Sequence, residues 1–323
     1  MKIGLFGTGH LGKIHLKCLL STSCWEVAGI YDVNPAVAAA VASQYQVQAF
    51  DRPETLLEQV EAVDVVVPTP AHYATAAAAI RRNKHVFIEK PLTHTVREGR
   101  ALLKLTEQHP VTVQVGHVER FNPAMLALEG IELAPMFIES HRLHAFQPRG
   151  TDVSVILDLM IHDLDLILHF IPYPVKKVSA GGTAVLSKTP DIANARIEFS
   201  NGAVANVTAS RISLKQMRKM RLFQKDHYIS LDFFDKTAQI IRLYDQHTPQ
   251  LPDPDRLMEF ETAEGKKWLE MSMPEVTPVN AIQRELETFH QSIVTGQEPP
   301  VSLRQGLRAL ELAHQILRII ERI

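Results

Sequence analysis

Three glycines at positions 7, 9 and 12, in the stretch GLFGTGHLGKIH (residues 4–15), constrain this chain more than any other feature. They follow the apolar run KIGLF and lead into a helix-like segment, so the chain must pass from strand to helix within a few residues. The spacing has a physical reading. One glycine makes the tight turn, one lets an anion approach the backbone, and one lets the helix pack closely on the strand. The helix N-terminus then faces that anion with unpaired N–H groups. Asp32 stands twenty residues beyond Gly12, at the end of the next β-rich run, where a carboxylate can grip a ribose hydroxyl. Together these predict a dinucleotide site built from Gly7, Thr8, Gly9, His10, Leu11, Gly12 and Asp32. Asp32 repels a 2′-phosphate and no arginine follows it in YDVNP, so NAD is expected rather than NADP. The bland alternative, a glycine turn with a chance aspartate, leaves the strand–turn–helix context unexplained.

The first stretch of the chain alternates β-rich runs with alanine-rich helical ones, the pattern of a parallel α/β sheet. Six strands are expected, at 2–6, 25–31, 47–50, 63–67, 85–89 and 111–115. Beyond Gly116 the pattern turns to strands with tight turns, among them the hairpin signal Ser200-Asn201-Gly202. The expected fold is a doubly wound Rossmann domain over residues 1–120, followed by an α+β domain over 121–323 with an open, mostly antiparallel sheet. Segment 246–279 reads as loop with one short strand, and two helices close the chain.

At 323 residues the chain has room for two domains. A net charge of -2 argues against nucleic acid as a partner. Cys18 and Cys24 form no CxxC, which fits a reducing compartment. No stretch reaches transmembrane length without charges. A cytoplasmic protein without a membrane partner is expected. An open sheet needs its outer face covered, so a homodimer or homotetramer is expected as well.

Ligands of such parallel sheets sit beyond the carboxyl ends of the strands. The residues there are Thr69, Pro70 and His72; Glu89, Lys90 and Pro91; and His117, Glu119, Arg120 and Asn122. Each taken singly also reads as a solvated or ion-paired loop residue. A further feature is VILDLMIHDLDLILHF (155–170), a segment of about four helical turns that is apolar apart from polar residues. Asp158, His162, Asp165 and His169 recur at offsets that put them on one face of a helix. Asp and His at such spacings also suit a metal, and the dipeptide His162-Asp163 resembles the core of metal phosphohydrolases. Those enzymes need further histidines on neighbouring helices, and the surroundings here look like a sheet, so no metal is expected.

The glycine turn with His15, TPAHY, EKP and the C-terminal FHQSIVTGQEPPVSLRQGLRALEL together resemble one family over the whole chain: the glucose-fructose oxidoreductase / inositol dehydrogenase / MocA (Gfo/Idh/MocA) dehydrogenases. The resemblance implies an NAD-dependent oxidation of a secondary alcohol on a sugar or related polyol. It adds Thr69, Pro70, His72, Glu89, Lys90 and Pro91 to the cofactor site. It matches Asp158 and His162 to an Asp–His pair on a helix facing nicotinamide and substrate; Met160 stands where the family often has glycine. His162 is then the base for the hydroxyl proton. Lys90 is its electrostatic partner in the proton relay, and Asp158 is an orienting or substrate-binding carboxylate. Asp165 is expected to hold substrate or His162 from the next turn, and His169 to be a satisfied core histidine. VGHVERFNPAM and LDLMIHDLDLIL resemble the subgroup of UDP-N-acetylglucosamine 3-dehydrogenases. That implies substrate contacts from Arg120 and Asn122, with positive charge also expected from Arg142, Arg149 and Lys215. A free-sugar or inositol dehydrogenase, and a non-catalytic NAD-binding sensor, are the alternatives.

Overall fold

The computed structural model describes residues 1–146, 153–245, 248, 251–263 and 265–322. Two compact units emerge. The first comprises Met1–Phe121 and Asn280–Glu311, the second Asn122–Val279 and Leu312–Ile323. The first break thus falls one residue from the sequence boundary, but residues 280–311 return to the first unit. The reason is apolar. Trp25, Phe87, Leu286 and Phe289 share one buried cluster, and Trp25 Nε1 donates to the Leu286 carbonyl at 2.9 Å.

In the first unit a parallel sheet of order β2-β1-β3-β4-β5 is made by β1 (Lys2–Phe6), β2 (Glu26–Tyr31), β3 (Ala62–Val65), β4 (His85–Glu89) and β5 (Val113–Gly116). Helices α1 (His10–Ser21), α2 (Pro35–Tyr45), α3 (Pro53–Gln59), α4 (Thr69–Ile80) and α5 (Val96–Gln108) connect them. β1, β3, β4 and β5 are almost wholly buried, as a sheet covered on both faces requires, while β2 at the edge is buried only at Gly29 and Ile30. The sequence expectation of six strands is corrected to five. VQAF (47–50) forms only a single parallel bridge, Ile30 with Ala49.

The second unit starts with α6 (Pro123–Leu126) and β6 (Phe137–Leu143). A π-helical turn (Ile156–Met160) then leads into α7 (Ile161–Phe170). Eight strands follow: β7 (Val175–Thr183), β8 (Ile192–Phe199), β9 (Val204–Ser210), β10 (Met217–Gln224), β11 (His227–Asp232), β12 (Thr237–Asp245), β13 (Leu257–Thr262) and β14 (Gly265–Ser272). The sheet order is β13-β14-β12-β11-β10-β6-β9-β8-β7. Every pairing is antiparallel except β6 with β9. The Ser200-Asn201-Gly202 signal holds: Gly202 has φ +88° and the Phe199 amide bonds the Ala203 carbonyl across the turn at 2.8 Å. The single short strand expected within 246–279 is corrected to two, β13 and β14, which pair as a hairpin. Their side chains are mostly exposed or half-buried, so no clean inward–outward alternation marks them in sequence. The chain closes with α8 (Ala281–Thr295) and α9 (Leu303–Ile320). Among the described residues no helix is long and apolar enough to cross a membrane.

Candidate active-site regions

In the first unit the glycine turn does what its spacing asks. Gly7 has φ +94°, and a Cβ there would lie 2.7 Å from the Val66 carbonyl oxygen. A Cβ on Gly12 would run into the Gly7 carbonyl, which would force α1 off β1. Gly9 faces open space. It is the N-cap of α1 and offers no side-chain cap, so the first N–H groups of that helix are left for a ligand. Beside them lies a cavity of about 800 Å³ lined in part by Gly7, Gly9, Gly12, Asp32, Val67 and Ala71.

Asp32 is set within this cleft by the chain itself. Its Oδ2 accepts the Thr8 amide at 2.8 Å and the Thr8 hydroxyl at 2.9 Å, and Oδ1 accepts the Asn34 amide at 3.0 Å. Burial works to raise the Asp32 pKa, but the amides of Asn34 and Thr8 and the Thr8 hydroxyl outweigh it and hold it low. Thr8 is fully buried and acts on the cleft through Asp32. His10 and Leu11 line the cleft. So does Arg82, which the sequence reading did not single out; its Nη1 donates to the Ala78 carbonyl at 3.1 Å. The cleft thus fits a dinucleotide: an uncapped helix start for the pyrophosphate, open space at Gly9, and an ionised carboxylate at the end of β2.

At the next strand ends, Thr69 and Pro70 form the first turn of α4, behind Val67 and Pro68 of the cavity wall. His72 is buried, with its two ring nitrogens 2.9 Å from the Pro91 and Val67 carbonyls. Burial lowers its pKa, and a neutral ring donates to one carbonyl at a time. Its ring therefore ties the loop after β3 to the EKP loop. In that loop Glu89 and Pro91 are buried and Lys90 is half-buried, with a cis Lys90–Pro91 peptide. Glu89 Oε2 accepts the Lys90 amide at 3.0 Å. His117, Glu119 and Arg120, at and after the end of β5, are all buried.

In the second unit the polar helix is not one continuous α-helix. Asp158 sits in the π turn and His162 in α7, and both are half-buried. Asp165 is 2% exposed. His169 is exposed, which corrects the expected core histidine. The wider turn changes the register, so the four residues do not share one environment. The apolar body of the helix is explained by β6 and β9, on which α7 packs. A fifth polar residue, Asp163, is buried there. Its Oδ2 accepts Arg142 Nε at 2.7 Å and its Oδ1 accepts the Ser140 hydroxyl at 2.8 Å. Arg142 is 3% exposed, so the expectation that it charges a substrate pocket is corrected: it is the partner of Asp163. Asn122 caps α6 through Oδ1 and donates Nδ2 to the Phe233 carbonyl at 3.1 Å. Lys215 is exposed, and Arg149 lies outside the described residues.

Known proteins agree with both halves. A family described as oxidoreductases with an NAD-binding Rossmann fold matches residues 1–117, and its C-terminal domain, GFO/IDH/MocA, matches residues 137–226. The chain is 38% identical to a UDP-N-acetylglucosamine 3-dehydrogenase of Acidithiobacillus ferrooxidans over 78% of its length and 80% of the relative's. A solved structure of that enzyme covers 100% of this chain and 98% of its own, with a TM-score of 0.89 and 33% identity. An inositol 2-dehydrogenase of Rhizobium meliloti is 24% identical over 99% of this chain and 97% of its own.

Proposed function

Because the chain belongs to the Gfo/Idh/MocA family of NAD-binding oxidoreductases, we propose that it oxidises a secondary alcohol of a nucleotide sugar, with C3 of UDP-N-acetylglucosamine the first candidate. The observation that carries the substrate is the 38% identity to an enzyme of that name across most of both chains. NAD, when bound, supplies the hydride acceptor. Asp32 would hold the adenosine ribose by accepting its hydroxyls, and the uncapped start of α1 would hold the pyrophosphate. His162 takes the hydroxyl proton on its ring nitrogen. The Lys90 ammonium donates a hydrogen bond to the alcohol oxygen and stabilises negative charge as it develops there. Asp158 orients the imidazole or the sugar. Arg120, a planar donor suited to a diphosphate, is the candidate anchor for the nucleotide. Asp165 acts in support of His162 or substrate. Asn122, which caps α6 and donates to the Phe233 carbonyl, is the second candidate substrate contact beside Arg120.

The second reading is an inositol or free-sugar dehydrogenase of the same mechanism, favoured by the end-to-end similarity to an inositol 2-dehydrogenase. A non-catalytic sensor is disfavoured by the presence of Lys90, Asp158 and His162 together. A panel of nucleotide sugars, free N-acetylglucosamine and inositols with NAD, with a keto-trapping aminotransferase to pull the equilibrium, decides. UDP-N-acetylglucosamine is expected to react far faster than free sugars; preference for inositol moves the assignment to the second reading. A cytoplasmic homodimer or homotetramer belongs to the same proposal. Large apolar side chains on the sheet of the second unit, Met258, Phe260 and Met271, are exposed, and light scattering on the purified protein gives the oligomer.

A further inference from the structure

Four ionisable side chains meet in the interior of the first unit: His15 from α1, Asp64 from β3, Glu89 from β4 and Glu285 from α8. None of the four residues is more than 6% exposed. His15 Nδ1 lies 2.9 Å from Asp64 Oδ2, and Nε2 lies 3.1 Å from Glu89 Oε1. Among the described residues, neither oxygen of Glu285 has a hydrogen-bond partner. Yet ligand atoms of His15, Glu89 and Glu285 lie within 4.8 Å of one another. The other groups around the cluster do not complete it. Gln114 of β5 gives its amide to the main-chain carbonyl of Glu285, not to the carboxyl. Cys18 of α1 is a thiol whose pKa is raised, by burial first. Lys90, beyond β4, acts on Glu89.

Three ionised carboxylates against one imidazolium would leave two unbalanced negative charges in a dry interior. A protein avoids that by neutralising a group. Glu285 is the member to neutralise, because its carboxyl meets no donor and sits beside another carboxylate. The electrostatics separate the carboxylates: burial raises Asp64 too, but the charge and hydrogen bond of His15 oppose that rise. Burial, then the Glu89 charge, hold the Glu285 acid well above its ordinary 4.5. Burial works against the His15 charge, but Asp64 and Glu89 outweigh it and hold His15 well above its ordinary 6.5. Burial likewise works against the Glu89 charge, and contact with His15 overcomes it.

We propose that Glu285 is a neutral carboxylic acid in the folded protein and, through the His15–Glu89 pair, a positioning residue for Lys90. Glu89 is the link: one oxygen lies against His15 and the other holds the Lys90 amide. A neutral Glu285 lets Glu89 stay ionised and fixed; an ionised one would drive the two carboxylates apart and move the main chain from which Lys90 projects. The Lys90 half rests on the role proposed for that lysine, whereas the proton half does not. A divalent cation held by His15, Glu89 and Glu285 is the competing occupant, since the same spacing suits one.

The test uses the full chain with Glu285→Gln, which keeps the shape and cannot ionise, and Glu285→Ala. Infrared spectra at neutral pH are expected to show a buried protonated carboxyl band that Glu285→Gln loses. A raised acid contributes stability that is fully present below its ordinary 4.5 and lost as pH rises through its folded value. The fall of Tm on the alkaline side of pH 4.5 is therefore expected to be shallower in Glu285→Gln than in the wild type. In turnover, Glu285→Ala is expected to lower kcat on the order of 10-fold or more with little change in KM, and Glu285→Gln to restore most of it. Absence of the carboxyl band, an unchanged alkaline fall, or a stoichiometric divalent metal that Glu285→Gln releases overturns the neutral acid. A folded Glu285→Ala with wild-type kcat overturns the positioning role. If the wild type oxidises none of the nucleotide sugars, the spectrum and the Tm profile still decide the proton, so the two failures are distinguishable.

Discussion

Asp32 receives three hydrogen bonds from its own chain before any ligand arrives, so its charge and direction are set in advance. A 2′-phosphate brought beside it would meet a fixed negative group. Asp32→Ala is expected to narrow the preference for NAD over NADP by about tenfold or more, the size of a like-charge contact in a partly solvated cleft. Calorimetric titration with both dinucleotides measures it; an unchanged ratio would show that discrimination lies elsewhere, with Arg82 the next residue to probe. His162 is the corresponding test in the second unit. His162→Ala is expected to lower kcat by about 10² to 10⁴ while leaving NAD affinity nearly unchanged, since the cleft is built from the first unit. The wild-type pH profile of kcat/KM is expected to show a limb from protonation of the base, and that variant to lose it. Lys90→Met should lower kcat too, and the double variant should fall well short of the product of the two losses if both groups act on one oxygen. Wild-type turnover in His162→Ala would remove the histidine from the chemistry.

The elements that read correctly from sequence are those whose signal is local. Gly7, Gly9 and Gly12 declare the turn by stereochemistry, and Asn201-Gly202 declares a hairpin for the same reason. The errors fall where a distant partner decides. VQAF has strand composition, but only Ala49 reaches a bridge with Ile30. Residues 155–170 have helical periodicity, but periodicity cannot show the π turn, and so it could not show that His169 ends exposed while Asp163 is buried. Asp163 reads in sequence only as half of the His162-Asp163 dipeptide, because its partner, Arg142, lies 21 residues away on β6. That pair pins α7 to the sheet, with side chains only 4% and 2% exposed. Asp163→Asn is expected to cost about 3–5 kcal/mol in urea unfolding, because it strands a buried guanidinium. Replacing both partners by apolar residues of similar volume should recover most of the loss. A loss below about 1 kcal/mol for Asp163→Asn would mean that water or another group reaches Arg142.

Across the whole molecule, the two-part plan and the glycine turn were legible because each follows from a repeating pattern or a stereochemical demand. The buried cluster was not. Asp64 lies within the strand run VDVVV and Glu285 on one of the closing helices; nothing local says that they meet at His15. That cluster and a second one predict the stability profile. Asp191 is buried and accepts the amides of Val185, Leu186 and Ser187 at 2.7–2.9 Å and the Ser187 hydroxyl at 2.6 Å. Burial opposes its charge, but the Ser187 hydroxyl and the three amides outweigh it and hold its pKa well below the ordinary 3.8. A depressed acid contributes stability that is fully present above its ordinary value and lost as pH falls through its folded value. Raised groups do the reverse: the His15 contribution is complete below 6.5 and lost as pH rises through its folded value. Acid and alkaline limbs therefore have separate owners, with a maximum between them. Asp191→Asn is expected to lower Tm at neutral pH, by calorimetry, and the gap from wild type should close as pH falls below 3.8. A gap that stays constant into acid would show that Asp191 acts through shape alone, and would leave the acid limb to other carboxylates such as Asp32 and Glu89.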